Sequence, residues 1–251
     1  MHTVLFVLGL GLILLVVERL IPGRLFPKRA YWYTRAIGFN LVQAGCVFLA
    51  AVTWDPILAQ YTILDLANLG TVYGALVGYV GITFVFYWWH RARHESSILW
   101  TYLHQVHHSP ARLEVLTSFY KHPLEIILNS ILSSFLLITL FGLSPEAISV
   151  AFLMTGVAEL FYHWNIKTPY WLGFLIQRPE SHCVHHQKGY HKNNYSDLPL
   201  WDMIFGTFEN PRNQVNDCGF SSDKELDLMG LIFPGLRRTA TGVINENSSN
   251  N

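Results

Sequence analysis

The chain has 251 residues, of which 51% are hydrophobic and only 14% are charged. Soluble domains carry about 25% charged residues, so this composition argues against a soluble protein. The formal net charge is +0, which gives no basic surface, and we expect no nucleic-acid partner.

Five apolar stretches approach or reach the length of about 20 residues that a membrane-spanning helix needs. They cover residues 3–17, 36–54, 72–89, 126–143 and 146–163. The first lacks the basic start and the cleavage site of a signal peptide, so we expect it to be retained as a helix. The last two are joined by "LSPE" and predict either a spanning hairpin, which we favour, or a shallow re-entrant pair.

These stretches predict an all-α fold, a multi-span integral membrane helical bundle with a cytoplasmic histidine-rich helical cap. We divide the chain into two N-terminal spans over 1–71, a domain expected to be catalytic over 72–211, and a C-terminal tail over 212–251. The tail ends in "INENSSNN", which is typical of a disordered terminus and adds little to the prediction. Arg237 and Arg238 are weak candidates for contact with anionic lipid.

The basic residues predict the orientation of the bundle. All 17 Lys and Arg fall on one side of a five-crossing arrangement, and the positive-inside rule makes that side cytoplasmic. The N-terminus is then outside and the C-terminus inside. The same arrangement brings every histidine cluster to the cytoplasmic face, although the histidines were not used to derive it.

Three short segments concentrate the histidines: "HRARH" at 90–94, "HQVHH" at 104–108 and "HCVHH" at 182–186. Helical residues three or four apart share a face, so each segment is expected to aim its imidazoles at one point. Eight imidazoles exceed what one ion can bind, and the pattern predicts two metal ions. Imidazole suits zinc, copper, iron and nickel, so the pattern alone leaves the metal open.

A different hypothesis for the histidines, a membrane metal transporter, is less favoured. A metal transporter would distribute ionisable residues through its spans, whereas here they gather at one face.

Cys46, Cys183 and Cys218 are odd in number and far apart in sequence, so they predict no disulfide framework. Cys46 is expected to pack in an apolar run, and "HCVHH" needs only its histidines, so Cys183 is not favoured as a ligand.

The order of the motifs resembles the fatty acid hydroxylase / sterol desaturase superfamily, which has HxxxH, then HxxHH, then a distant HxxHH in a multi-span chain. Three further segments are similar to that superfamily: "YKHPLE" at 120–125, "FYHWNIK" at 161–167 and "NYSDLPLWDMIFGTFENP" at 194–211. The chain departs from it at Ser196, where the family often has glycine.

The resemblance implies a membrane-bound non-haem di-iron oxygenase with two iron ions, dioxygen and two external electrons. It implies hydroxylation, ahead of desaturation, of an unactivated C–H bond in a lipid or lipid-like substrate taken from the bilayer. Alternatives are a desaturase of a sterol or fatty acyl chain, a hydroxylase of a natural-product intermediate and, as a non-enzyme, the metal transporter. The electron donor is expected to be a ferredoxin-like protein or a cytochrome with its reductase, and Lys121, Lys188 and Lys192 are candidate contacts for it.

The resemblance and the spacing together give a set of site residues, with no catalytic residue beyond the metal ligands. The predicted ligands are His90, His94, His104, His107, His108, His163, His182, His185 and His186. Ligating histidines usually donate their second N–H to a carboxylate or carbonyl. Residues predicted as further ligands or as such supporting partners are His122, Glu125, Glu159, Asn165, His191, Asn194 and Asp202. For Glu159 the alternative is an ion pair with a neighbouring arginine.

Overall fold

The computed structural model describes residues 2–236, and the regular structure of this part is helical throughout, with no β-strand. The predicted all-α fold is therefore confirmed. The α-helices, in chain order, are α1 (His2–Leu20), α2 (Trp32–Val52), α3 (Trp54–Leu58), α4 (Gly70–Glu95), α5 (Ser97–Leu99), α6 (Pro123–Ser134), α7 (Pro145–His163), α8 (Pro179–His185), α9 (Pro199–Phe205), α10 (Ser222–Leu226) and α11 (Leu228–Ile232). Helices α5 and α6 continue as π-helices over Trp100–His104 and Phe135–Leu140. Short 3₁₀ turns lie at Ala67–Leu69, Val115–Thr117, Tyr170–Phe174 and Pro234–Leu236.

Within residues 2–236, four helical segments are long and apolar enough to cross a membrane: Trp32–Leu58, Ala67–Glu95, Pro123–Leu140 and Pro145–His163. They correspond to the second to fifth apolar stretches. Each arm of the 126–163 pair reaches spanning length, which favours the hairpin. Helix α1 is not among the four, so the fifth crossing stays a prediction.

The ends of the long helices that carry basic residues meet at one end of the bundle. There the Asn165 amide donates to Glu18 (3.2 Å), and Trp32 donates to Glu114. At the opposite end, the Ile63 amide donates to the Thr139 carbonyl (2.8 Å). Residues 53–89 and 124–162, which form the opposite end and most of the spans, contain no Lys or Arg.

Small residues bring α4 and α7 close together. A Cβ added at Gly74 would lie 2.9 Å from Ala147 Cβ, and one at Gly78 would lie 3.0 Å from Leu143 Cδ1 and 3.1 Å from Ala151 Cβ. Close backbone approach of this kind is typical of helix pairs in membranes, where packing replaces the hydrophobic effect. The two helices run in the same direction, so that both deliver their C-terminal ends to the basic end of the bundle.

The tail contributes more than the sequence predicts. Phe220 and Leu231 pack in one buried cluster with Val106 and Tyr120, and the buried Glu225 forms an ion pair with Arg35 (3.1 Å). The apolar run "LMGLIF" at 228–233 is short, and its partners lie more than 100 residues earlier in the chain, so the sequence does not predict this contact. The "INENSSNN" end and the lipid contacts expected of Arg237 and Arg238 lie outside the described residues.

Candidate metal centre

The nine histidines predicted as ligands lie together at the basic end of the bundle, in two groups. The five-histidine group consists of His90, His94, His104, His108 and His185, and the four-histidine group of His107, His163, His182 and His186. In each group, one ring nitrogen from every member lies within 4.8 Å of the others. These are the groups of three or more potential metal-binding side chains found in residues 2–236.

Two of the three histidine segments divide their side chains between the groups, which corrects the expectation that each segment aims at one point. His104 and His108 join the five-histidine group, whereas His107 joins the other. His182 and His186 join the four-histidine group, whereas His185 joins the first. For "HCVHH", which forms the end of α8, helix geometry accounts for the division, because residues i and i+4 differ by about 40° around the helix axis whereas i+3 and i+4 differ by about 100°. The HxxHH spacing therefore serves two adjacent sites.

Rigid elements fix the positions of these side chains. His90 and His94 lie on the last turns of α4, and His163 is the last residue of α7. His104 ends the π-helix Trp100–His104, a helix type often found at functional sites. The chain then leaves helical structure, so His107 and His108 lie in a turn rather than on the helix that the spacing suggests.

A loop near the third segment supplies carbonyl groups to the five-histidine group. His94 Nδ1 lies 2.7 Å from the His191 carbonyl, His185 Nδ1 lies 2.6 Å from the Asn193 carbonyl, and His90 Nδ1 lies 2.7 Å from the Tyr195 carbonyl. His191, Asn193 and Asn194 have φ angles of 45°, 64° and 50°. Such left-handed conformations are uncommon outside glycine, although Asn tolerates them best. The strained loop thus orients three imidazoles.

The ring geometry fits metal ions between the histidines. Because Nδ1 of His90, His94 and His185 donates to carbonyls, their Nε2 atoms are unprotonated acceptors. Nevertheless, His90 Nε2 lies 3.1 Å from His185 Nε2 and 3.3 Å from His94 Nε2. Facing lone pairs repel unless a cation lies between them. Two nitrogens bound at right angles to one ion, each at about 2.1 Å, lie about 3 Å apart, which matches these separations.

The four-histidine group has the same geometry. His182 Nε2 lies 3.1 Å from Nε2 of both His163 and His186. His163 donates Nδ1–H to the Glu159 carbonyl (2.9 Å), and His107 Nδ1 lies 3.2 Å from the Tyr120 carbonyl. The Nδ1 atoms of His182 and His186 are buried and have no hydrogen-bond partner among the described residues.

Burial keeps the imidazoles neutral. It lowers the pKa of His104, His107, His108, His182, His185 and His186, and neighbouring imidazole or guanidinium groups lower these pKa values further. For His185 the pKa falls to about 3. Neutral imidazole is the form that binds metal, so the site holds its histidines ready for ions at neutral pH.

Two of the predicted supporting residues contact the histidines. Glu125 Oε1 lies 3.0 Å from His104 Nδ1, and the same carboxylate is paired with the buried Arg93. His191 Nδ1 lies 3.2 Å from His108 Nδ1. Both residues therefore lie directly behind the five-histidine group.

The side chains of four other predicted residues do not reach the imidazoles. Asp202 accepts hydrogen bonds from the Tyr195 and Ser196 amides (2.8 and 3.0 Å), because it folds back on its own loop. Glu159 pairs with Lys121, and not with an arginine. Asn165 bonds the Arg24 backbone (2.9 and 3.1 Å), and Asn194 bonds the Ser181 carbonyl (2.9 Å).

His122 is a helix cap rather than a candidate ligand. Its Nδ1 accepts from the Leu124 amide (3.1 Å), and its Nε2 donates to the Ile232 carbonyl (3.1 Å). His122 is the N-cap of α6, directly before Pro123 at the first position of the helix. Both of its ring nitrogens are therefore used outside the two histidine groups. The ligand role considered for His122 is not supported by this geometry.

A cavity of about 480 Å³ lies within the bundle and ends at the histidines. Its inner end contains His90, His104, His107 and His182, and its walls include apolar residues of α2, α4, α6 and α7. Beside the histidines it is lined by two ion pairs, Arg93–Glu125 and Lys121–Glu159.

Asp197 also lines this end of the cavity and was missed from the sequence. Burial, together with Glu159, raises the pKa of its carboxyl to about 7. Tyr162 is its hydrogen-bond partner. The acid in "NYSDLPLWD" that belongs to the cavity is therefore Asp197 rather than Asp202, and no periodicity in that loop distinguishes the two.

Four membrane-length helices with two imidazole groups at one end define an integral membrane protein with a candidate two-metal centre. The chain belongs to the fatty acid hydroxylase family, whose model matches residues 75–207, just over half of the sequence. The family predicted from the motifs is confirmed.

Characterised relatives include enzymes that act on lipids. The chain is 30% identical over 151 residues to the alkylglycerol monooxygenase of Homo sapiens (55% of this chain, 31% of the relative). It is 26% identical over 228 residues to the ornithine lipid hydroxylase OlsE of Rhizobium tropici (83% and 68%). It is 27% identical over 164 residues to the very-long-chain aldehyde decarbonylase GL1-5 of Oryza sativa subsp. indica (60% and 26%).

These names make the family one of oxidoreductases, in agreement with the predicted enzyme class. The chain spans about a third of the length of the alkylglycerol monooxygenases that it matches. No solved structure matches the chain.

Proposed function

We propose that the chain is a membrane-bound di-iron oxygenase that hydroxylates a C–H bond of a lipid, using dioxygen and two electrons from a separate donor. The observation that carries the proposal is the pair of imidazole groups at the inner end of a cavity within the bundle. The five-histidine group would hold one iron ion and the four-histidine group the other. The domain at 72–211 would be the catalytic unit.

The donor set fits iron. Every proposed ligand is an imidazole nitrogen, which suits iron as well as zinc, but zinc has no redox chemistry. When bound, two iron ions supply the oxidising power that an unactivated C–H bond requires.

The residues of the chain provide binding, orientation and exclusion of water. The Nδ1–H groups of His90, His94 and His185 are held by loop carbonyls, which keeps their Nε2 atoms aimed at one point. On the side away from the cavity, Phe220 and Leu231 are buried against the segment that carries His104, His107 and His108. Water is thus excluded from that side.

The lining of the cavity supports an amphiphile as substrate, with its polar group entering first. Ile82, Phe86, Ile126, Ile148 and Phe152 provide walls for a hydrocarbon chain. Next to the histidines the walls are polar, but the cations there are already paired with carboxylates. Such a site favours an uncharged polar group that forms hydrogen bonds over a free carboxylate, which would lack a cation. The carbon oxidised would lie near that polar group.

The names of two relatives agree with an amphiphilic substrate, since both alkylglycerols and ornithine lipids carry polar groups on long chains. Desaturation would start with the same hydrogen abstraction, and only the product distinguishes the two reactions.

Electron delivery needs a partner at the basic end of the bundle. Lys121 is not available to it, because its ammonium lines the cavity and pairs with Glu159. Lys188 and Lys192 are exposed near the third histidine segment and remain the proposed contacts for an acidic donor. We propose that this end of the molecule faces the cytoplasm, because the basic residues gather there.

Product analysis tests the proposal. Membranes containing the protein, a reductase system and iron would be incubated with an alkylglycerol and, separately, with an alkane of equal chain length. We expect one added oxygen near the polar end of the alkylglycerol and no reaction of the alkane. His182→Ala, which removes one proposed ligand, is the inactive control.

Other products would contradict parts of the proposal. Loss of two hydrogens would identify a desaturase. Oxidation at the far end of the hydrocarbon chain would contradict the proposed orientation, in which the polar group of the substrate lies next to the histidines. Turnover with zinc alone would refute the redox mechanism. Zinc in an inactive preparation would not, because zinc binds most nitrogen sites more tightly than ferrous iron does.

A further inference from the structure

Two cysteines that are far apart in the sequence lie side by side outside the histidine groups. Cys183 Sγ and Cys218 Sγ are 3.3 Å apart, and both side chains are buried. They lie together with Leu113 and Val215 in a small cluster. The odd number and wide spacing of the cysteines predicted no disulfide framework, and the proposed oxygenase reaction does not use them.

A cation lies against one thiol of the pair. Arg24 Nη1 donates to Cys218 Sγ (3.1 Å) and to the Val215 carbonyl (3.1 Å). Asn165 holds the Arg24 backbone through two hydrogen bonds, so Arg24 is held by Asn165 and Val215 as well as by the thiol. A guanidinium next to a cysteine stabilises its thiolate, which is the nucleophilic form. The hydrogen bond from Cys183 and the Arg24 charge lower the pKa of Cys218 to about 7.

Backbone hydrogen bonds join the two chain segments that carry Cys183 and Cys218. The Gly219 amide donates to the His186 carbonyl (3.0 Å), and the Lys188 amide donates to the Asp217 carbonyl (3.0 Å). Gln187 and Cys218 form an antiparallel bridge. A disulfide needs sulfurs about 2.05 Å apart, so the two sulfurs, now 3.3 Å apart, must approach each other by only about 1.2 Å.

We propose that Cys183 and Cys218 form a peroxide-reactive dithiol, in which Cys218 attacks and Cys183 resolves. The Cys218 thiolate attacks one oxygen of hydrogen peroxide, the O–O bond breaks, and hydroxide leaves to be protonated to water. The resulting Cys218 sulfenic acid is attacked by the Cys183 sulfur, which forms the disulfide and releases a second water. The two thiols lose two electrons and two protons, and one peroxide is reduced to two waters.

The surface of the protein lies close to the pair on the side of Val215–Asp217. A surface cleft of about 300 Å³ is lined by Val215, Asn216 and Asp217, the residues directly before Cys218. The Val215 carbonyl lies 3.8 Å from Cys183 Sγ. We therefore expect peroxide to approach the pair from this cleft.

The experiment uses the full-length protein in detergent, treated with hydrogen peroxide, denatured, alkylated and digested for mass spectrometry. We expect a disulfide-linked peptide pair containing Cys183 and Cys218, lighter by two hydrogens, which a thiol reductant reverses. Cys46 is the internal control, because it is also buried but lies on α2 away from both thiols. It should remain alkylated as a free thiol. Oxidation of Cys46 at the same rate as the pair would overturn the proposal, as would two free thiols after treatment.

Variants assign the roles of the two thiols. Cys183→Ser should leave a sulfenic acid on Cys218 that dimedone traps, whereas Cys218→Ser should leave Cys183 largely unreacted. Arg24→Gln should slow wild-type disulfide formation at neutral pH by roughly tenfold or more. Trapping on Cys183 in place of Cys218 would contradict the assigned roles. These measurements need no iron and no substrate, so they stand apart from the proposed oxygenase activity.

Discussion

Individual histidines at this site differ according to the partner of each ring nitrogen. His107 directs one nitrogen to the Tyr120 carbonyl and faces His163 and His186 with its ring. His122, only a short distance along the chain, uses both nitrogens for the Leu124 amide and the Ile232 carbonyl. The two residues therefore form a matched pair for testing which imidazoles bind metal.

We predict that His107→Ala lowers bound metal by about half, because the four-histidine group loses one ligand while its other members are fixed on α7, on α8 and at the residue that ends α8. His122→Ala should retain metal, since its ring contributes only to the cap of α6. Elemental analysis of protein purified in parallel measures both. Full metal content in His107→Ala would refute the assignment of this group.

Asp197 predicts a pH dependence of stability. Burial and the nearby Glu159 raise the pKa of its carboxyl from 3.8 to about 7, with Tyr162 and Lys121 as the other groups that face it. The folded state therefore binds the proton more tightly than the unfolded state, so the contribution of Asp197 to stability is lost as pH rises between about 4 and 7.

Asp197→Asn removes this titration. We expect its thermal unfolding temperature to match the wild type at pH 4 and to exceed it at pH 8, as measured in detergent by intrinsic fluorescence. Asp65→Asn, at an exposed position whose left-handed backbone asparagine tolerates, is the control and should show the same difference from the wild type at both pH values. Equal temperatures for Asp197→Asn and wild type at pH 8 would show that Asp197 is not buried in this way.

At the scale of elements, the contact of α4 with α7 sets the distance between the helix ends that carry His90, His94 and His163. A Cβ at Gly78 would lie 3.0–3.1 Å from Leu143, Ala151 and Leu137, whereas one at Gly38 on α2 would meet nothing within 4 Å. We predict that Gly78→Ala destabilises the protein by about 1–3 kcal/mol, because the helices must separate.

Gly38→Ala is the matched control. It should be neutral or slightly stabilising, because alanine favours helix and no neighbour is crowded. Unfolding of both variants in mixed micelles, followed by circular dichroism, measures the difference. A Gly78→Ala variant as stable as Gly38→Ala would contradict the close packing.

The sequence predicted those elements whose signal is local. The apolar stretches predicted four of the long helices to within a few residues, because length and composition are enough to identify a membrane-spanning helix. The nine histidines were identified because their spacing and flanking motifs are specific. The division of "HQVHH" and "HCVHH" between two groups was not predicted, since it depends on how the turn after His104 and helix α8 are placed relative to each other.

Other misses have the same physical origin. The roles of Asp197 and Asp202 depend on the path of one loop, and the Cys183–Cys218 contact joins segments that only the tertiary fold brings together. Lys121 was predicted as a contact for the electron donor, yet its side chain lies inside the cavity and pairs with Glu159. Single-sequence patterns carry no information on such distant contacts.

For the whole molecule, the orientation in the membrane follows from the basic residues and remains to be measured. Asn68 is exposed at the end of the bundle without Lys or Arg, and Asn213 is exposed at the histidine end. We predict that a cysteine at 68 reacts with an impermeant maleimide from outside the cell, and a cysteine at 213 only after the membrane is permeabilised. The native cysteines are buried and give a low background. The opposite labelling would reverse the orientation.

The distribution of the two histidine groups along the chain has a consequence for biosynthesis. His182, His185 and His186, and the segment with Phe220 and Leu231 that covers the earlier histidines, are translated after all the long helices. The bundle can therefore enter the membrane while both groups are incomplete. Metal acquisition would be a late event, separated in time from insertion. With iron as the proposed metal, a cell short of it would accumulate inserted protein that a later supply of iron could still activate.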